Sequence, residues 1–222
     1  MNICALIATR KASNRIKNKS IKKFSGSNLT IIKINQALNV KKFKNIYFSS
    51  DITGLNNYAQ KKGLILIKRQ KKHLGKSTIS DFSAFLAKNV KENHICYLTN
   101  TSPLLKVSTI EKAIKTYKKL DFSEFDSLNT FELVKDFLWN EIEPINYKLG
   151  KQPMSQNLSG IFKFNPAISI ISKKLIIKYN NVIGKKPYKI FIKKPESFDI
   201  DTMYDFKLAE MYYKNRNTNR LL

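Results

Sequence analysis

The residues best suited to chemistry fall in two places far apart in the chain. The first is a polar loop holding Arg10, Lys11, Ser13, Asn14, Arg15, Lys17, Lys19 and Ser20, directly after the apolar run Ile3–Ala8. A buried strand that ends in cations and hydroxyls can hold a polyphosphate. The strand fixes the loop, and the loop supplies charge and N–H donors. The second place is Phe198-Asp199-Ile200-Asp201-Thr202. An Asp-x-Asp pair in extended backbone points both carboxylates the same way. Such hard oxygen ligands suit Mg²⁺, which takes a few carboxylates together with waters and substrate phosphates. Asp201 also stands where a helix begins, so capping that helix is the competing role. A nucleotide-handling enzyme is the first expectation.

Elements that must position these residues alternate along the chain. Apolar runs and spacing predict strands at Ile3–Ala8, Asn45–Ser49, Leu64–Ile67 and Ile95–Thr99. Helical periodicity falls between and after them, at Leu29–Ala37, Leu55–Lys62, Thr78–Val90 and Val107–Leu120. Gly63 is a natural helix C-cap. Past Asp121 the expected elements are strands at Ser127–Phe131, Gly160–Asn165 and Tyr188–Ile192, and helices at Ala167–Tyr179 and Asp201–Tyr213. This order predicts an α/β fold, a mostly parallel sheet with helices on both faces. Ligands then bind beyond the carboxyl ends of the strands. Asp51, Arg69 and the run Asn100-Thr101-Ser102-Pro103-Leu104 follow successive strands, on the same predicted edge as Arg10 and Lys19.

The remaining features bound the answer. A chain of 222 residues with 42% apolar content fits one α/β domain. No apolar run approaches the ~20 residues of a membrane span, and no export signal opens the chain. Cys4 and Cys96 lie inside predicted buried strands and read as reduced core residues of a cytoplasmic protein. The net charge of +25 comes mostly from lysine spread from end to end. Nucleic-acid modules concentrate basic and aromatic residues on one element, so we expect solvated lysine faces and no nucleic-acid partner. His73 and His94 have no metal-ligand spacing, and no histidine is placed to serve a hydrolytic triad. Phe131, Phe137, Leu138 and Trp139 make the 130–160 segment a candidate partner surface.

Four stations carry a resemblance. They are Arg10-x-x-Ser13-x-Arg15-Ile16-x-x-Lys19-x-Ile21, then Ser50-Asp51, then Thr101-Ser102-Pro103-Leu104, then Asp199-Ile200-Asp201-Thr202-x-x-Asp205-Phe206 with Ala209-Glu210. In order and spacing the chain resembles the cytidylyltransferases that activate sialic acids and related nonulosonic acids, with the ketodeoxyoctonate-activating enzymes as cousins. The resemblance implies a three-layer αβα, Rossmann-like nucleotidyltransferase domain over 1–222, with a projecting dimerisation excursion at 130–160. It implies transfer of CMP from CTP to a 2-keto-3-deoxy sugar acid, release of pyrophosphate, Mg²⁺ as cofactor and a homodimer. By motif position, Arg10, Ser13, Asn14, Arg15, Lys19, Ser20, Asp51, Arg69 and Ser80 are the implied nucleotide residues. Thr99, Thr101, Ser102, Gln152 and Gly160 are the implied sugar residues. Asp199 and Asp201 are the implied metal ligands, with Arg10, Lys19 and Asp201 as the catalytic set.

The chain departs from the family's pattern in the loop. Where the family reads Pro-Ala-Arg-Gly-Gly-Ser-Lys, this sequence has Ala8-Thr9-Arg10-Lys11-Ala12-Ser13-Asn14. Two glycines and one lysine are replaced, which bears on close backbone approach to phosphates. Thr99 and Leu105 stand where Gln and Arg are usual, on the sugar side. A non-catalytic or weakly active sugar-nucleotide-binding relative is therefore the alternative expectation.

Overall fold

The first strand is apolar up to its last residue because both its faces are covered. The computed structural model describes residues 1–70, 73, 79–158 and 160–216, with side chains throughout that range except at 79–81. In β1 (Ile3–Thr9), Ile3, Ala5 and Ile7 join one core cluster while Cys4 and Leu6 join another. The first cluster packs helices α1 (Leu29–Leu38), α2 (Thr53–Lys61) and α4 (Val107–Tyr117) on one face. The second packs α3 (Ile79–Lys88) and α5 (Lys173–Tyr179) on the other. This is the expected three-layer arrangement, produced by period-two alternation along a strand buried on both sides.

The remaining strands are β2 (Ile46–Ser50), β3 (Ile65–Leu66), β4 (His94–Leu98), β5 (Ser127–Leu133), β6 (Phe162–Ser172) and β7 (Pro187–Phe191). They form one seven-stranded sheet in the order β3-β2-β1-β4-β6-β5-β7. All neighbours are parallel except β6, which runs antiparallel to both β4 and β5. Gly63 takes φ +79 just past α2, as the cap requires. Cys4 and Cys96 are buried and unpaired in adjacent strands.

One expected element is corrected. Ala167–Ser172 continues β6 and is not helical; α5 starts at Lys173, capped by the Ser172 hydroxyl. The run Ala167-Ile168-Ser169-Ile170-Ile171 is buried between β4 and β5, so it shows no polar alternation to mark it as a strand. β6 also carries a bulge at Pro166, where its register against β5 jumps from Asn165 to Ser169.

The segment between β5 and β6 holds a short 3-10 turn at Ser155–Asn157 and an isolated bridge between Trp139 and Pro144. Residues 130–133 of the expected excursion belong to β5. A last helix, α6 (Met203–Asn215), packs Phe206 and Ala209 against Ile16, Phe24 and Leu29. It thereby clamps the loop after β1 from outside. Among the described residues, no helix is long and apolar enough to cross a membrane.

Candidate active site

A closed knot of buried side chains sets the floor at the carboxyl edge of the sheet. Thr9, at the end of β1, donates its hydroxyl to Ser20 Oγ at 2.7 Å. The Asn100 amide, just past β4, donates to Thr9 Oγ1 at 3.1 Å and to Thr30 Oγ1 at 3.0 Å. Thr30 in turn donates to the Ser20 carbonyl at 3.0 Å. The network ties both ends of the polar loop to α1 and β4, and each buried polar atom in it is satisfied. Asp51 holds the start of the loop by accepting from the Lys11 backbone N–H at 2.7 Å. Among described non-glycine residues, positive φ occurs only at Asn18, Ser25 and Asn180. Lys11 and Ala12 therefore occupy backbone that needs no glycine, although the resembled family has two there.

Above this floor lies a cleft of about 360 Å³. Arg10, Ser13, Asn14, Arg15, Lys19 and Ser20 line it from the loop. Arg69, Thr99 and Thr101 line it from the other strand ends. Arg69 spans the ends of β1 and β2, donating to the Thr9 carbonyl and, at 3.3 Å, to the Ser49 carbonyl. Its guanidinium lies 4.4 Å from the centre of the Phe82 ring. Burial lowers the Arg69 pKa, and the nearby Asp51 carboxylate opposes that shift.

Other expected residues fall elsewhere. Asp51 shapes the loop rather than lining the cleft. Ser102 is buried beside Thr99, and its carbonyl accepts from Lys33 Nζ at 2.8 Å. Gln152 and Gly160 are exposed in the segment between β5 and β6. Ser80 opens α3, and its side chain is outside the described residues. Phe82, Tyr97 and Asn100 also line the cleft, together with Ala8, Thr9 and Ala12. Asn100 follows a strand, where sequence position alone flags it; Phe82 and Tyr97 are apolar-face residues with no such signal.

The acidic segment lies against the rim of the cleft, and neither Asp199 nor Asp201 is among the residues that line it. Its Ile200 N–H donates to the Thr101 carbonyl at 2.9 Å, and Lys19 Nζ donates to the Ile200 carbonyl. Arg15 Nη2 lies 2.8 Å from Asp201 Oδ1, and Lys19 Nζ lies 3.5 Å from the same oxygen. The two distant polar stations thus meet at one mouth. The helix-capping role that competed for Asp201 belongs to Thr202. Its hydroxyl accepts from the Asp205 N–H, and the Asp205 carboxylate accepts back from the Thr202 N–H. Asp205 also accepts from the Asp201 N–H at 3.2 Å, which orients the pair.

Asp199 is the more enclosed of the two carboxylates, and its Oδ1 is buried with no hydrogen-bond partner. Burial pushes its carboxyl above the usual range and the neighbouring Asp201 charge adds to this; Thr101, Lys19 and Lys163 pull it back. An unpartnered carboxylate oxygen beside a second carboxylate fits a small, hard divalent cation. No group of three or more His, Cys, Asp or Glu side chains converges among the described residues. A metal here would complete its shell with water and substrate oxygens.

A doubly wound sheet whose carboxyl-edge loop presents cations to a carboxylate pair defines a nucleotide-handling α/β protein. The chain belongs to the cytidylyltransferase family, whose sequence profile matches residues 4–221. The pseudaminic acid cytidylyltransferase of Campylobacter jejuni (serotype O:23/36, strain 81-176) is 26% identical over 230 residues, covering 96% of this chain and 96% of that one. N-acylneuraminate cytidylyltransferase A of Danio rerio is 28% identical over 220 residues, covering 94% of this chain and 50% of that one. Among solved structures, CMP:2-keto-3-deoxy-manno-octonic acid synthetase complexed with CTP superposes with a TM-score of 0.73. At 12% identity, covering 97% of this chain and 100% of that one, it shares the fold.

Proposed function

We propose that this protein transfers CMP from CTP to the anomeric hydroxyl of a 2-keto-3-deoxy sugar acid and releases pyrophosphate. Family membership and the named relatives support the reaction class. The observation that carries it in the structure is the meeting of Arg15 and Lys19 with Asp201 at one mouth. The sugar hydroxyl attacks the α-phosphorus in line; a new P–O bond forms, the bond to the β-phosphate breaks, and the hydroxyl loses its proton. Little covalent help is needed, so the protein acts by positioning and charge neutralisation. Arg10, Ser13, Asn14, Arg15 and Lys19 would cradle the triphosphate, with Arg69 beside the nucleotide and Ser20 and Asp51 fixing the loop. Thr99 and Thr101 would face the sugar.

Asp199 and Asp201 would hold Mg²⁺, which when bound neutralises triphosphate charge and steadies the pyrophosphate leaving group. The missing loop glycines are no obstacle, because neither Lys11 nor Ala12 takes a positive φ. Of the cations flanking Asn14, Arg15 lines the cleft and Lys11 does not. A homodimer is part of the reading, supported by the apolar side chains that the segment between β5 and β6 exposes. The test is pyrophosphate release with CTP, Mg²⁺ and N-acetylneuraminate, pseudaminate or 3-deoxy-manno-octulosonate. Release with at least one acid, abolished by EDTA, is expected. CTP binding without release on any of the three would overturn the reading.

A further inference from the structure

β4 ends at Leu98, but the strand beside it goes on. Leu98 pairs with Ile168, so the residues of β6 before Ile168 rise past the carboxyl edge. β5 rises with them and stays paired as far as Leu133 opposite Phe162. This raised ribbon stands across β4 from the cation loop that follows β1. It carries Lys163 directly opposite Glu132.

Side chains two apart on a strand share a face, so Lys163 and Asn165 project to the same side. There the Asn165 amide donates to Glu132 Oε1 at 3.0 Å and to the Ser197 carbonyl at 2.7 Å. The Ser197 hydroxyl donates to Glu132 Oε2 at 2.8 Å. These bonds tie the ribbon to the segment that ends in Asp199 and Asp201. Both Glu132 oxygens have neutral partners already. Lys163 Nζ stands 3.9 Å from Glu132 Oε1, beyond hydrogen-bond distance, and its side chain is 70% exposed.

An acceptor sugar must bring its hydroxyl against the α-phosphorus, beside the aspartates. Its carboxylate then needs a cation outside the loop that cradles the triphosphate. Thr99 and Thr101, which line the cleft between the two, are uncharged. We propose that Lys163 binds the acceptor's carboxylate and selects acids over neutral sugars, an inference that rests on the cytidylyltransferase reading above.

The experiment compares wild type, Lys163→Met and Lys163→Arg with CTP, Mg²⁺ and whichever of the three acids turns over, and with that acid's methyl ester. Loss of one charge-assisted contact should raise KM for the acid about 10- to 100-fold in Lys163→Met. KM for CTP and kcat should stay at wild-type values, and Lys163→Arg should restore use of the acid. The methyl ester should be equally poor with all three proteins. An unchanged KM for the acid in Lys163→Met, or an equal loss on CTP, overturns the inference while leaving the function standing. If wild type consumes none of the acids, the function falls first and the inference with it.

Discussion

Arg15 and Asp201 are joined by a 2.8 Å ion pair across the mouth of the cleft. Both side chains are well exposed, so the pair adds little to stability. If Asp201 holds a metal as proposed, Arg15 competes with that metal for the same oxygen. On that reading a triphosphate would draw Arg15 away from it. Arg15→Ala should therefore tighten Mn²⁺ binding to the nucleotide-free protein while raising KM for CTP about tenfold. Mn²⁺ electron paramagnetic resonance checks the first arm. Equal Mn²⁺ affinity in variant and wild type would sink the competition.

Asp201→Asn keeps the size of the side chain and leaves the α6 cap on Thr202. Turnover should fall about 10²-fold or more, the scale of a lost metal contact. The thermal midpoint should hold. Wild-type turnover in this variant would remove Asp201 from the proposed metal site.

Thr202→Ala should cost about 1 kcal/mol in urea denaturation, since a capped backbone N–H loses its acceptor. Asp205 would then be a one-sided partner, and the acidic pair beside it would loosen. A variant as stable as wild type would show that α6 is held by packing alone.

Lys33 is a fully buried lysine under the loop after β4. Burial lowers its pKa from 10.5 to about 7. Between those values the unfolded chain binds a proton that the native protein does not. Stability should therefore rise with pH in that window, by up to about 1.4 kcal/mol per pH unit from this group. Lys33→Met should flatten the rise, measured by denaturation at pH 7, 8 and 9. An identical pH slope in both proteins would mean that Lys33 stays charged in the fold.

Ile142 is 86% exposed in the segment between β5 and β6, with Leu149 and Met154 also open to solvent. If this segment meets a second copy, Ile142→Asp combined with Leu149→Asp should turn a dimer into a monomer by sedimentation. Unchanged sedimentation would put the partner surface elsewhere.

Much of this site was legible because its parts lie at strand ends, which apolar runs mark well. Arg10, Lys19 and Thr101 could be placed on one edge from alternation alone. Asp201 was ambiguous between cap and ligand, although Thr202-x-x-Asp205 is itself a capping signature that resolves it. What stayed hidden has no local signal. The bond from Lys33 to Ser102 links residues 69 apart, and Glu132, Asn165 and Ser197 meet only after β5 and β6 pair. The helix expected at Ala167 failed for a related reason. A strand covered on both sides loses the alternation that would reveal it.

The position of β6 has a consequence for biogenesis. As the chain leaves the ribosome, β4 can find β1 at once, but its other flank has no neighbour until residues 162–172 emerge. During that interval a hydrophobic strand edge lies bare, open to mispairing with another nascent chain.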